Sequence, residues 1–170
     1  MIRACEEEPH MTKVVSNLWF EKDALRAVEL YVSLVPNSAI VRTTVMPADS
    51  PSGPAGSVKV IEFTLGNQNF TALEAGPLDP FNHSFSIMIQ CDSQEEIDRL
   101  WNALLENGGQ AEQCGWLRDR WGLCWQIVPR ALGDMVAHTD RERARRVTEA
   151  MLGMIKLDIA ELERAFHART

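Results

Sequence analysis

Apolar residues fall along this chain in two rhythms, and each rhythm occurs twice. Residues 58–65 and 69–75 are rich in β-branched and aromatic side chains and are parted by Gly66-Asn67, the mark of a β-hairpin. Residues 116–120 and 123–128 make a second such pair, with a polar turn around Arg118-Asp119-Arg120. An offset of 52 sets Pro77 on Pro129, Asn67 on Asp119 and Glu74 on Gln126. The other rhythm is helical. Ala27, Leu30, Tyr31 and Leu34 follow Asp23, and Ile97, Leu100, Trp101 and Leu104 follow Ser93, each set at i, i+3, i+4 and i+7. An offset of 70 relates these two segments and also sets Ser16 on Ser86.

Punctuation supports the repeat. Asp23 and Ser93 are natural N-caps, because their side-chain oxygens accept from the free N–H groups of a first helical turn. Glu96, three residues after Ser93, completes a capping box. Pro36-Asn37 and Asn107-Gly108-Gly109 end the helices at matching places. The two offsets differ because the first copy holds an insertion rich in Pro, Gly and Ser over residues 46–57. The expectation is an α+β chain of two βαβββ modules, about 12–78 and 82–129, that share a cavity. Strands are predicted near 14–20, 38–46, 58–65, 69–75, 84–91, 110–115, 116–120 and 123–128, with module helices near 23–35 and 93–107.

The ends read differently. Residues 1–11 lack periodicity and carry Glu6, Glu7, Glu8 and Pro9, which predicts a disordered leader, with Met11 as a second candidate start. Beyond Pro129 the pattern is helical over 131–138, 141–154 and 157–167, a tail over 130–170. Its apolar residues (Val147, Met151, Met154, Ile155, Ile159, Leu162, Phe166) exceed what a free surface helix needs, so they predict packing on the chain itself or on a partner. Arg141, Arg143, Arg145 and Arg146 read as a solvated face beside Glu142 and Glu149 rather than an anion site.

Composition narrows the partners. A 170-residue chain with 45% hydrophobic and 24% charged residues is an ordinary globular length and make-up. A net charge of −7 argues against nucleic acid, which needs a basic face. No apolar run approaches a membrane span and no signal core opens the chain, so a cytoplasmic, membrane-free protein is expected. Cys5, Cys91, Cys114 and Cys124 have neither CxxC spacing nor nearby paired histidines, and reduced thiols are expected. No G-x-G-x-x-G follows a strand and opens a helix, since Gly108-Gly109 comes after one. The doubly wound type of S-adenosylmethionine site is therefore not expected.

The pattern Cys-Gly-Trp-Leu-x-Asp-x-x-Gly-x-x-Trp-Gln-Ile-Val-Pro over 114–129 and the run Ala-Met-Leu-Gly-Met-Ile-Lys-Leu-Asp-Ile-Ala over 150–160 resemble the PhnB-like family. That family belongs to the vicinal oxygen chelate superfamily, with glyoxalase I, extradiol dioxygenases and bleomycin-resistance proteins. It often carries the label 3-demethylubiquinone 3-methyltransferase. The resemblance covers about residues 12–166 and implies an eight-stranded curved sheet around a cleft, and a homodimer. Enzymes of the superfamily hold a divalent metal with one residue from the first and fourth strands of each module. The resemblance carries those positions to Ser16, Glu74, Ser86 and Gln126. Only Glu74 is a strong ligand, since hydroxyl and amide oxygens are neutral and weak. No tightly held metal and no cofactor are expected, with a weakly held divalent metal left open. His83, three residues before Ser86, reads as a loop histidine.

Alternate residues on a strand share a face, so Ser16, Phe20, Phe70, Glu74, Ser86, Met88, Cys124 and Gln126 are the candidate pocket residues. A desolvated Glu74 would have a raised pKa and serve as a catalytic base; alternatively Glu74 and Gln126 bond each other and fill the core. Cys124 reads as a packed thiol without a base beside it. Two functions stand side by side. One is a small-molecule-binding protein with a degenerate metal site. The other is a metal-assisted enzyme on a vicinal-oxygen substrate, with Glu74 as base or ligand.

Overall fold

The computed structural model describes residues 14–168, so the leader expected over 1–11 lies outside it. The chain divides at Asp79 and Pro80 into two compact units, each with a four-stranded mixed sheet. The class is α+β.

Module one runs β1 (Ser16–Phe20), α1 (Ala24–Leu34), β2 (Ala39–Val45), β3 (Lys59–Leu65) and β4 (Gln68–Glu74). Its strand order is β1-β4-β3-β2, parallel between β1 and β4 and antiparallel elsewhere. Period-two burial makes one face of this sheet the core. Leu18, Phe20, Ile61, Phe63, Phe70 and Ala72 are buried there beneath Ala27, Val28, Tyr31 and Leu34 of α1. The Phe63 and Phe70 rings stack with centroids 5.4 Å apart. Each such side chain contributes roughly 1.5–3 kcal/mol of burial, so the helical stripe and the strand alternation specify one interface.

The cap of α1 departs from expectation. Asp23 is left-handed (φ 61°) and its side chain makes no capping bond. The Ala24 N–H instead donates to Glu74 Oε2 at 2.9 Å. Glu74 lies opposite Phe20 in the β1–β4 register, which brings its carboxylate to the helix start.

Module two runs β5 (Ser86–Cys91), α2 (Gln94–Glu106), β6 (Gln110–Ala111), β7 (Trp116–Arg118) and β8 (Cys124–Pro129), in sheet order β5-β8-β7-β6. Ser93 Oγ accepts from Glu96 N–H at 3.2 Å, and the Glu96 carboxylate accepts from Asp92 N–H at 2.9 Å, closing the box one residue earlier than Ser93. The strand expected over 110–115 shrinks to two residues. Cys114 and Gly115 are left-handed (φ 58° and 79°), and their N–H groups donate to Met154 O and Ile155 O, both at 2.8 Å. A tail carbonyl pair thus takes the place of a neighbouring strand.

The tail forms α3 (Leu132–Val136), α4 (Arg141–Gly153) and α5 (Ile159–His167). Leu132, Val147, Met154, Leu157 and Leu162 make a second buried cluster, joined by Met151 and Phe166. Most of the predicted apolar stripe is therefore used within its own unit, while Ile155 remains 57% exposed. Gln94 of α2 ties the tail down, donating to Leu157 O at 3.2 Å and accepting from Ile159 N–H at 2.9 Å. Among the arginines, Arg145 pairs with Glu142 and Glu149, and Arg146 donates to Ala165 O near the end of α5. No helix among the described residues is long and apolar enough to cross a membrane.

Candidate functional site

The eight candidate pocket residues divide between two kinds of sheet face. Leu18 is 2% exposed, whereas Met88, which the offset of 70 pairs with it, is 52% exposed. The registers explain why. The last pair before α1 is Phe20 with Glu74, and the last before α2 is Cys91 with Pro129. The structural equivalence is thus one residue off in the opening strand and three off in the closing strand. Odd slips reverse every side chain.

In module one, Ser16, Phe20, Phe70 and Glu74 lie on the face beneath α1, and Phe20 and Phe70 are core side chains rather than cavity lining. Lys59 Nζ donates to Glu74 Oε1 at 2.6 Å while Oε2 accepts from Ala24 N–H. Burial pushes the Glu74 carboxyl up, but Lys59 and the backbone N–H groups of the α1 turn outweigh it and hold its pKa below the ordinary value. The raised pKa expected of a base is therefore corrected. Glu74 is an engaged, ionised carboxylate that joins β4, β3 and α1.

In module two, Trp125 and Ile127 of β8 are buried with Leu117 of β7, and α2 packs against β8 and β5. Ser86, Met88, Cys124 and Gln126 therefore point the other way, together with Trp116 and Arg118, which lie opposite Gln126 and Cys124. Gln126 Nε2 donates to Ser86 Oγ at 2.8 Å. The Cys124 thiol is buried, and its pKa is raised by burial first and by the Glu112 carboxylate next, so it stays protonated. Cys91 is pushed up to about 12, again mainly by burial.

A polar network absent from the sequence reading stands beside this face. Arg118 donates to Glu112 Oε1 through Nη2 at 2.6 Å and Nε at 3.1 Å. His83 Nε2 lies 2.7 Å from Glu112 Oε2, with its ring 5.8 Å from that of Trp116. The Glu112 pKa is lowered, by the His83 bond most and by Arg118 as well, against an upward push from burial. The spacing of residues 83, 112 and 118 carries no signal, because loop and strand register bring them together. Asp119, expected in a polar turn, is 5% exposed. Its Oδ1 accepts from Trp121 N–H (2.9 Å) and Leu123 N–H (3.1 Å), and its Oδ2 accepts from Trp125 Nε1 (3.0 Å). A lone Asp at a hairpin turn before an alternate-face Trp was the available clue.

The sequence profile described as 3-demethylubiquinone-9 3-methyltransferase matches residues 12–128. The chain belongs to that family. Among solved structures, the family's PhnB protein from Bacillus cereus, itself described as a putative 3-demethylubiquinone-9 3-methyltransferase, is 28% identical. The match covers 69% of this chain and 99% of that one, with a TM-score of 0.59. The fosfomycin resistance protein of Mesorhizobium loti shares the fold at 12% identity and TM-score 0.53, over 75% of this chain and 100% of that one. Glyoxalase I of Leishmania major does so at 11% identity and TM-score 0.51, over 76% and 94%. The chain is thus PhnB-like, and it shares its fold with a fosfomycin resistance protein and a glyoxalase. No functionally curated protein matches it.

The positions to which the resemblance carries metal ligands offer, within each module, little that would hold a divalent ion tightly. Ser16 offers a hydroxyl, Glu74 is engaged by Lys59 and Ala24, and Ser86 and Gln126 are neutral and bonded to each other. Among the described residues, no group of three or more His, Cys, Asp or Glu side chains is placed to hold a metal.

Proposed function

We propose that this PhnB-like protein binds a small, partly aromatic molecule on the module-two sheet face turned away from α2, without a resident transition metal. The Ser86–Gln126 pair carries the reading. Gln126 gives one amide proton to Ser86, which leaves the serine proton and the amide oxygen to face a ligand. Met88 and Trp116 supply apolar surface beside that pair, in register with Gln126 on either side. Arg118, fixed by two bonds to Glu112, supplies a preorganised cation near the rim. A few polar groups on an apolar floor suit recognition better than bond breaking.

Methyl transfer is not part of the proposal, since α1 and α2 open on a carboxylate and a serine cap rather than on a glycine-rich phosphate cradle. Metal analysis of protein purified without chelator tests the metal-free half. Stoichiometric Mn, Fe, Ni or Zn would overturn it in favour of a metal-assisted enzyme. A fragment screen by ligand-observed NMR tests the seat. Binding fragments are expected to move the Trp116 indole and Gln126 amide resonances in the wild type and to bind more weakly to Gln126→Ala. Hits that perturb only module-one resonances would sink the assignment.

A further inference from the structure

We propose that residues 80–85 form a strap latched across the module-two sheet by His83 and Glu112, and that the strap must lift before a ligand can lie on Trp116. The seat itself rests on the function proposed above, and the strap stands apart from it. β5 and β6 are opposite edges of this sheet, with β8 and β7 between them. His83 lies three residues before Ser86, which opens β5, yet its Nε2 is 2.7 Å from the carboxylate of Glu112, just beyond β6. Three strand spacings make about 14 Å, and three extended residues span at most about 11 Å. The chain ahead of β5 therefore runs across the strands rather than along them.

Its path lies over the face turned away from α2. Glu112 N–H donates to Trp116 O at 2.9 Å, so Glu112 continues the β6–β7 ladder opposite Trp116 and shares its face. The His83 ring stands 5.8 Å from the Trp116 ring, tilted by 45°. Phe81 sits near the β7–β8 turn, where a Cβ added to Gly122 would come within 3.9 Å of the Phe81 Cβ. Asn82 turns the chain back toward Ser86, its Oδ1 accepting from Ser84 N–H at 2.8 Å and its carbonyl from Phe85 N–H at 3.4 Å.

Cys124 reports the cover. It shares this face with Arg118, Gln126 and Val128, all half-buried, yet is itself fully buried. The tail cluster meets the face at Val128, four residues along β8 and about 13 Å away. Phe81 beside Gly122, and Ser86 opposite Cys124, put the strap at the Cys124 end instead. Asn82, His83, Ser84 and Phe85 are all exposed, and segments with so few buried contacts open locally at small cost. An ionised carboxylate only accepts, so the imidazole N–H donates, and this charge-assisted bond is the latch. While latched, His83 occupies the Trp116 surface that an aromatic ligand would use, an autoinhibitory contact.

N-ethylmaleimide labelling of the full chain, mapped by mass spectrometry, tests the strap without any ligand. His83→Ala loses a hydrogen bond to a charged group, and Cys124 should then label about tenfold faster than in the wild type. His83→Gln restores an N–H for Glu112 and should stay within about threefold of the wild type. Cys91, buried in the same unit, is the control for loosened folding and should keep its rate. A Cys124 rate unchanged in His83→Ala, an equal rise in His83→Gln, or a matching rise at Cys91 would each overturn the proposal. Fragments that bind the seat in the NMR screen should bind His83→Ala at least about threefold more tightly, and equal affinity would overturn the autoinhibition. A screen without hits would count against the seat alone, because the labelling decides the strap.

Discussion

Asp119→Asn tests whether the β7–β8 turn depends on a buried carboxylate. Asp119 accepts from two backbone N–H groups through one oxygen and from the Trp125 indole through the other. Asparagine keeps one acceptor oxygen, so its amide must face either the backbone donors or the indole, donor against donor. An unpaired buried donor costs about 1–3 kcal/mol, and the remaining bonds lose the roughly twofold strength that a charged acceptor lends. The substitution should therefore cost about 2–4 kcal/mol, a large share of the roughly 5–15 kcal/mol that holds a domain. Urea unfolding followed by far-UV circular dichroism measures this, with the exposed Asp134→Asn as a control expected within about 0.5 kcal/mol. A double-mutant cycle locates the loss. In a Trp125→Phe background the indole donor is gone, and Asp119→Asn should cost about 1–2 kcal/mol less. A cost below about 0.5 kcal/mol, or the same cost in both backgrounds, would refute the reasoning.

Glu74→Gln removes the charge paired with Lys59 yet keeps an oxygen for Ala24, and should cost about 0.5–1 kcal/mol at neutral pH. Because the folded pKa of Glu74 is depressed, its contribution is complete above the unfolded value near 4.3 and is lost as pH falls through the folded value. The gap between wild type and variant should close in acid; a gap unchanged from about pH 7 to pH 3 would contradict the pairing. Gly115→Ala meets Ile127 O at 2.8 Å and Leu157 Cδ1 at 2.9 Å, at a φ of +79°. Strain of about 1–2 kcal/mol from the left-handed backbone adds to the clash. A fall in thermal stability equivalent to less than about 1 kcal/mol would show that the tail yields easily.

The module order was legible because it rests on local signals. The α1 and α2 stripes and the Ser93 cap need only neighbours in sequence. Facing was not legible. Repeat offsets that align Ser16 with Ser86 and Glu74 with Gln126 look convincing as letters, but a slip of one or three residues exchanges core for surface. Asp23 has the residue type of a cap and not the conformation, and the true cap came from fifty positions away. The His83–Glu112–Arg118 network joins loop, loop and strand, and no periodicity foretells such a meeting.

The bonds from Cys114 and Gly115 to Met154 and Ile155 bear on the order in which a ribosome can finish this protein. The module-one ladder closes between residues 16 and 74, all of which are made before the second half. The bend before β7 lacks its acceptors until some forty further residues have been added, and Gln94 waits longer still for Leu157 and Ile159. At the usual pace of synthesis, about 5–20 residues per second, the second half spends seconds as a hairpin without its closing partner. Module two thus cannot lock its sheet until the segment from Met154 to Ile159 has been made.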